Sequence, residues 1–135
     1  MSSKLQSVFL PLRDLLRAHA ASFSVARDTE THYGLDASVG PATVRSWGGK
    51  VKTQSIPVAW VSIEKAYVSY HLMGVSGNAK LLASFSEELR AHMQGKSCFN
   101  FKAADDALFN ELAHVTSESL TGMRKAGFIS DVPSA

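Results

Sequence analysis

The single cysteine of the chain, Cys98, is the first residue to consider for covalent chemistry. Lys96 stands two positions before it, and a nearby cation lowers the pKa of a thiol. An imidazole such as that of His71 can take a thiol proton when the two residues lie on adjoining strands. A lone cysteine is also a common packing residue, and no strand-to-helix elbow or oxyanion loop accompanies this one. We therefore keep a Cys/His-dependent enzyme as the third hypothesis and assign no catalytic residue.

The histidines lack the spacing of a metal site. The five lie at positions 19, 32, 71, 92 and 114, without a pair four residues apart and without a His-Glu-x-x-His motif. The pattern predicts no metal ligands and no bound cofactor. His19 and His114 fall on predicted helices, where a histidine usually sits at the edge of the core with one hydrogen bond.

Aromatic and polar side chains collect on one face of a predicted sheet. Rings with polar tips are what small-ligand sites and protein interfaces use. The pattern predicts a ligand-binding surface made of Trp60, Tyr67, His71, Lys96, Cys98 and Asn100. The alternative is structural: the same face is covered by the segment 23–41, or it simply faces water.

The strands that must position these side chains are marked between Val58 and Met73. Two seven-residue runs rich in Val, Ile, Tyr and Trp flank a short turn at Lys65-Ala66. Successive side chains in a strand point to opposite faces. Pairing across a two-residue turn predicts Trp60 opposite His71 and Ser62 opposite Ser69, with the apolar residues turned to the helices.

A third strand, at 97–101, follows Gly95 and alternates again. Its two phenylalanines, Phe99 and Phe101, are predicted to face the core, with Cys98 and Asn100 on the opposite side. Apolar spacing predicts a first helix that ends near Ala21 and a short helix over 78–85. Two further helices are predicted from their caps, Ser86 for one and Asp105 or Asp106 for the last, which Gly127 can close. These elements predict an α+β fold, a two-layer sandwich of one antiparallel sheet with helices mainly on one face.

Two segments carry weaker patterns. The segment 23–41 is predicted to be a loop with a short strand around 32–37, because glycine and proline interrupt it. Residues 43–47 and 50–54 flank Gly48-Gly49, a pair that supplies the positive φ angles of a two-residue turn. We therefore predict a hairpin there.

Composition bounds the class of protein. The 135 residues fit one domain, residues 1–135. The 14 Lys and Arg nearly balance the 12 Asp and Glu, and both signs are scattered along the chain. Nucleic acid is therefore not an expected partner, although Arg45, Trp47, Lys50 and Lys52 form a weak basic patch. No apolar stretch is long enough for a signal core or a membrane span, so we expect a cytoplasmic protein without a membrane partner. A homodimer is neither predicted nor excluded by the sequence.

Several strings of the chain resemble a known family. They are AYVSYHLM at 66–73, the Leu pair at 81–82, SEEL at 86–89 and QGKSCFNFK at 94–102. Their types and order are similar to the YdhG-like bacterial family, domain of unknown function family 1801, with the strongest match over 58–128. The resemblance implies a small sandwich of helices on an antiparallel sheet. A frataxin-like role as an intracellular iron chaperone has been proposed for some members.

Two hypotheses from different classes lead. The first is a non-enzymatic cytoplasmic binding protein that holds a small ligand or a partner protein on the half-polar sheet face. The alternative, implied by the resemblance alone, is an iron chaperone, in which iron is cargo for hard carboxylate oxygens. The Cys/His-dependent enzyme comes third.

Overall fold

A computed structural model describes residues 3–130, which form an α+β fold with a six-stranded antiparallel sheet and helices packed mainly on one of its faces. The helices are α1 (Ser3–Arg17), α2 (Pro41–Ser46), α3 (Ala79–Ala83), α4 (Glu87–Arg90) and α5 (Asp106–Lys125). The strands are β1 (Ser24–Asp28), β2 (His32–Val39), β3 (Ser55–Ile63), β4 (Val68–Leu72), β5 (Cys98–Phe101) and β6 (Ile129–Ser130). Two 3-10 turns, Ala20–Ser22 and Met73–Val75, complete the elements. The predicted fold class is confirmed.

The sheet runs in the order β1-β2-β3-β4-β5, with β6 paired to the far end of β2. The predicted hairpin of β3 and β4 is confirmed in its register, since Trp60 pairs with His71 and Ser62 with Ser69. β5 then pairs with β4, which sets Cys98 opposite His71. Alternation therefore brings the predicted polar side chains onto one side of three adjacent strands.

The core lies between the sheet and helices α1 and α5. α1 packs across β2, β3 and β4 and also against α5. Phe99 and Phe101 are fully buried, which confirms the face predicted for β5. On β4, the hydroxyl of Tyr70 reaches the Thr116 hydroxyl of α5 at 2.6 Å inside this core. The apolar side of the sheet is thus fixed against the helices, and the other side is left to the polar residues.

Side-chain caps mark the starts of three helices, and two of these caps, Ser86 and Asp105, are the predicted ones. The side chains of Asn78, Ser86 and Asp105 accept hydrogen bonds from backbone N–H groups at the starts of α3, α4 and α5. Gly127 has φ +80° just past the end of α5, as expected for a residue that closes a helix. α1 ends at Arg17, earlier than predicted, and the 3-10 turn follows it.

The hairpin predicted around Gly48-Gly49 is wrong. Residues 41–46 form α2, and residues 50–54 are irregular. Pro41 suits the first turn of a helix, where its missing N–H has no role. The Thr43 hydroxyl also donates to the carbonyl of Phe128 at 2.6 Å. The glycines do adopt positive φ angles, 77° and 86°, but they end the helix instead of turning a hairpin.

The segment 23–41 holds more strand than predicted. The short strand expected around 32–37 is confirmed within β2, whereas β1 was not predicted because all five of its residues are exposed and show no alternation. Both strands extend the sheet laterally from β3. The segment therefore does not lie over the half-polar face. The prediction that it covers this face is wrong, whereas the alternative of a face that simply meets water stays a prediction.

Candidate ligand-binding face

The half-polar face, defined here by Trp60, Ser62, Ser69, His71, Cys98 and Asn100, spans β3, β4 and β5. One transverse row of paired residues crosses it, from Gly34 through Trp60 and His71 to Cys98. Trp60, His71, Cys98 and Asn100 all keep part of their surface in solvent, whereas the two serines are buried beneath them. The structure therefore assembles four of the six predicted binding residues on one accessible surface.

Trp60 and His71 form a stacked pair in the centre of this row. Their ring centroids are 4.5 Å apart and the planes differ by 13°. Offset or parallel aromatic contacts at this separation hold both rings in place. The pair presents a rigid aromatic edge and plane to any molecule that lies on the sheet.

Ser69 links the histidine and the cysteine. Its hydroxyl lies 2.9 Å from His71 Nε2 and 3.0 Å from Cys98 Sγ, while Nε2 and Sγ are 3.8 Å apart. Cys98 Sγ also donates toward Asn100 Oδ1 at 3.4 Å. The thiol, the hydroxyl and the imidazole therefore form one connected polar cluster.

Burial sets the charge state of the imidazoles on this face. It is the largest cause that lowers the pKa of His71, with His32 acting in the same direction and Glu64 opposing both. Burial also lowers the pKa of His32, together with the positive charge of Arg27. Since both values lie below the ordinary value of 6.5, both rings are mostly neutral at neutral pH and can accept hydrogen bonds.

A cavity of about 240 Å³ opens beside Trp60, and we call it the Gly34 cavity. Gly34 and Trp60 both line it and are closely packed, since a Cβ added at Gly34 would stand 3.3 Å from Trp60 Cβ. Arg27, His32 and Asp36 bring polar groups to its wall. Burial raises the pKa of Asp36. The Gly34 cavity thus combines one aromatic wall with groups that donate and accept hydrogen bonds.

The two remaining predicted residues lie apart from the stacked pair. Tyr67 precedes β4, is half-buried and lines a different cavity of about 470 Å³, the Tyr67 cavity, together with His92 and Lys102. Asn100 lines this second cavity as well, so it connects the cysteine cluster to it. Lys96 is exposed in the turn before β5.

Sequence reasoning missed the contribution of β2. Gly34 and Asp36 belong to the wall of the Gly34 cavity but fell in the segment predicted to be mostly loop. The alternation of His32, Gly34 and Asp36 along the chain was the signal that could have placed all three on one strand face. Ser69 was placed on the correct face, but its role as a link depends on distances that only the folded sheet shows.

No group of three or more His, Cys, Asp or Glu side chains within residues 3–130 is arranged to hold a metal ion. The iron-chaperone hypothesis therefore stays a prediction that rests on the resemblance. In the same part of the chain, no helix combines the length and the apolar character needed to cross a membrane. Comparisons of the chain with protein-family models, with curated proteins and with solved structures found no match.

Proposed function

We propose that this chain is a non-enzymatic cytoplasmic binding protein, and that the half-polar face holds a small planar heteroaromatic molecule beside Trp60. The observation that carries the proposal is the row of Gly34, Trp60, His71 and Cys98 on a sheet face that the helices mainly leave uncovered. The Gly34 cavity, of about 240 Å³, supplies the space for a flat ring beside the indole.

The polar groups around this row define the chemistry of the ligand. The guanidinium of Arg27 donates, the carboxyl of Asp36 accepts, and the imidazole of His32 can do either according to its tautomer. Because charges of both signs border the Gly34 cavity, a ligand with a large net charge gains little there. A flat ring with both donor and acceptor groups on its edge can form hydrogen bonds with all three of these side chains.

Tryptophan fluorescence can test this proposal at one site. The chain has two tryptophans, so the Trp47→Phe variant leaves Trp60 as the single reporter. We expect adenine, guanine or nicotinamide to quench Trp60 with a saturable curve. Asp36→Asn, which keeps the size of the side chain, should weaken the quenching severalfold. The matched control is Arg45→Gln, which removes an exposed charge on α2 and should leave the curve unchanged.

Three outcomes would contradict the proposal. The first is that no heteroaromatic molecule of the panel quenches Trp60 at millimolar concentration. The second is equal quenching in the Asp36→Asn protein, which would place the ligand elsewhere. The third is a Trp60 signal that changes only with protein concentration, with a dimer seen by sedimentation, because a second copy would then occupy the face.

A second candidate function is Cys/His-dependent chemistry, favoured by the cluster of Cys98, Ser69 and His71. A neutral imidazole 3.8 Å from a thiol, joined to it by a hydroxyl, can assist removal of the thiol proton. We expect iodoacetamide to alkylate Cys98, with His71→Ala slowing the reaction severalfold at constant pH. The same rate in His71→Ala, at equal exposure of the thiol, would remove this candidate.

A further inference from the structure

A third cavity, of about 580 Å³, lies between α2, the turn Met73–Val75 and the end of α5. We call it the Trp47 cavity, because Trp47 forms one wall. Its size falls in the range that binds drug-sized molecules, roughly 300 to 1,000 Å³. Met73 and Phe128 on its rim are 43% and 44% exposed, so two of the largest exposed apolar side chains within residues 3–130 border the same space. Exposed apolar side chains that cluster around a concavity mark a binding site more often than isolated ones do.

Close backbone packing builds the walls. A Cβ at Gly74 would lie 2.5 Å from Ser119 Oγ, so only glycine lets the turn Met73–Val75 approach α5 this closely. On the other side, the backbone N–H groups of Gly40 and Ala42 donate to the carbonyls of Phe128 and Gly127 at 2.9 and 2.8 Å. The frame is therefore held by contacts that do not involve the contents of the cavity, and the site is formed in advance of binding.

The lining determines which molecules fit. None of the described side chains that line the Trp47 cavity is ionisable. Its large apolar side chains are Trp47, Ile56, Met73, Met123 and Phe128. The flexible thioethers of the two methionines can adjust to irregular apolar shapes. A charged ligand would lose its hydration there without a counter-charge from the wall. The cavity is suited to an uncharged ligand.

One polar group on the wall provides direction. Asn78 caps α3, with its Oδ1 accepting from the backbone N–H of Leu81 at 3.0 Å. This bond turns the amide Nδ2 toward Gly122, where an added Cβ would stand 3.1 Å from it. Since Asn78 and Gly122 both line the cavity, the amide offers a donor at its wall.

We infer that the Trp47 cavity binds an uncharged, mainly apolar small molecule whose single hydrogen-bond acceptor, a carbonyl or ether oxygen, meets the amide of Asn78. This site shares Pro57 with the Gly34 cavity, but its other lining residues and its chemistry are different. The two can be tested independently, because Trp47 and Trp60 each report on one of them.

The experiment uses Prodan, an uncharged aminonaphthalene ketone, and the full chain carrying Trp60→Phe, so that Trp47 is the only tryptophan. We expect Prodan to quench Trp47 saturably with one molecule per chain and to fluoresce at shorter wavelength than in water. Anilinonaphthalene sulfonate, an anionic dye of similar size, should bind at least about tenfold more weakly, a difference of about 1.4 kcal/mol.

Variants locate the dye. Met73→Glu places a charge on an exposed rim position and should weaken Prodan at least about tenfold, equivalent to about 1.4 kcal/mol. Leu10→Glu, an equal change at a similarly exposed position on α1, should leave the affinity unchanged. Asn78→Ser keeps a cap for α3 but removes the amide, so bound Prodan should shift further to the blue as its carbonyl loses the hydrogen bond.

Several results would overturn the inference. They are unchanged Trp47 emission at saturating Prodan, equal affinity for the anionic dye, and equal effects of Met73→Glu and Leu10→Glu. A Prodan affinity that falls as the protein concentration rises, together with a dimer that Met73→Glu dissociates, would show that a second copy fills the cavity. Circular dichroism of each variant verifies that the fold is retained.

Discussion

The ring of Trp60 lies against the ring of His71, with the two centroids 4.5 Å apart and the planes nearly parallel. The two residues are cross-strand partners on β3 and β4, so the sheet itself holds the stack. Ser69 fixes the other side of the imidazole through Nε2 at 2.9 Å. A change in the protonation of His71 therefore affects both its stack with Trp60 and its hydrogen bond with Ser69.

Acid should destabilise the protein through His71. Burial is the largest cause that lowers its pKa in the folded state, while the unfolded value is about 6.5. Below that value the unfolded chain binds more protons than the folded one, so the free energy of unfolding falls as the pH is lowered toward the folded pKa. Urea unfolding should show a lower midpoint at about pH 5.5 than at about pH 7.5.

Replacing His71 with Gln should reduce this decrease of the urea midpoint at acid pH. Part of it should persist, because burial lowers the pKa of His19 and of His32 as well. Asp36 acts with the opposite sign, since its raised pKa gives stability that is present below pH 3.8 and is lost as the pH rises through the folded pKa. His114→Gln, at an exposed position of α5, is the control. A drop of the same size in His71→Gln would show that the imidazole is not involved.

The two phenylalanines of β5 should dominate its contribution to stability. Phe99 and Phe101 are fully buried, so replacing either with Ala should lower the free energy of unfolding by about 3 to 5 kcal/mol. Asn100→Ala, on the opposite side of the same strand, should cost much less because its side chain is partly exposed. Chemical denaturation measures the free energy of unfolding of each of the three variants. Losses of similar size would contradict the assigned faces.

The pair of Tyr70 and Thr116 should respond asymmetrically to substitution. Thr116 Oγ1 donates to the carbonyl of Leu112 at 2.8 Å, so the Tyr70 hydroxyl is the donor between the two. Thr116→Val would leave a buried phenol without a partner and should cost about 1 to 3 kcal/mol. Tyr70→Phe removes the donor together with its desolvation cost and should cost about 1 kcal/mol or less. The reverse order in thermal or urea unfolding would show that the hydrogen bond runs the other way.

Glu111 should contribute more to the free energy of unfolding than other acidic residues of α5. Its two carboxylate oxygens accept from the backbone N–H and the hydroxyl of Ser86 at 2.8 and 2.6 Å, which ties the start of α4 to α5. Hydrogen bonds to a charged group contribute roughly 1.5 to 3 kcal/mol, so Glu111→Ala should lower the free energy of unfolding by about that amount. Glu118→Ala, at an exposed position of the same helix, should change it by less than about 0.5 kcal/mol. Equal effects in urea unfolding would mean that the link between the helices is not stabilising.

Strong local patterns were enough to predict much of the fold. In the β3–β4 hairpin, β3 has nine residues and β4 has five. The alternation of their side chains determines which residues lie on each face of the sheet and which residues pair with Trp60 and Ser62. β1 offers no such pattern, since an edge strand exposed on both sides needs no apolar face. α2 is held by tertiary bonds to residues 127 and 128, which local sequence does not encode.

The candidate site was predicted only as far as the hairpin register reaches. Trp60, His71, Cys98 and Asn100 follow from pairing between strands that are neighbours along the predicted sheet. Gly34 joins them through β2, which meets β3 from the other side across a long connection. Tyr67 shares the parity of His71 but lies at the turn, where strand geometry no longer controls its surroundings.

The irregular pairing of β1 with β2 affects whether a strand of another molecule can pair with β1 at high protein concentration. Between Val25 and Arg27 the register with β2 shifts, because Ala26 is an extra residue on the outer strand. An extended segment arriving from another molecule would meet unevenly spaced N–H and C=O groups and the charges of Arg27 and Asp28. Lateral growth into a fibre is thus discouraged at the place where an uninterrupted strand would invite it.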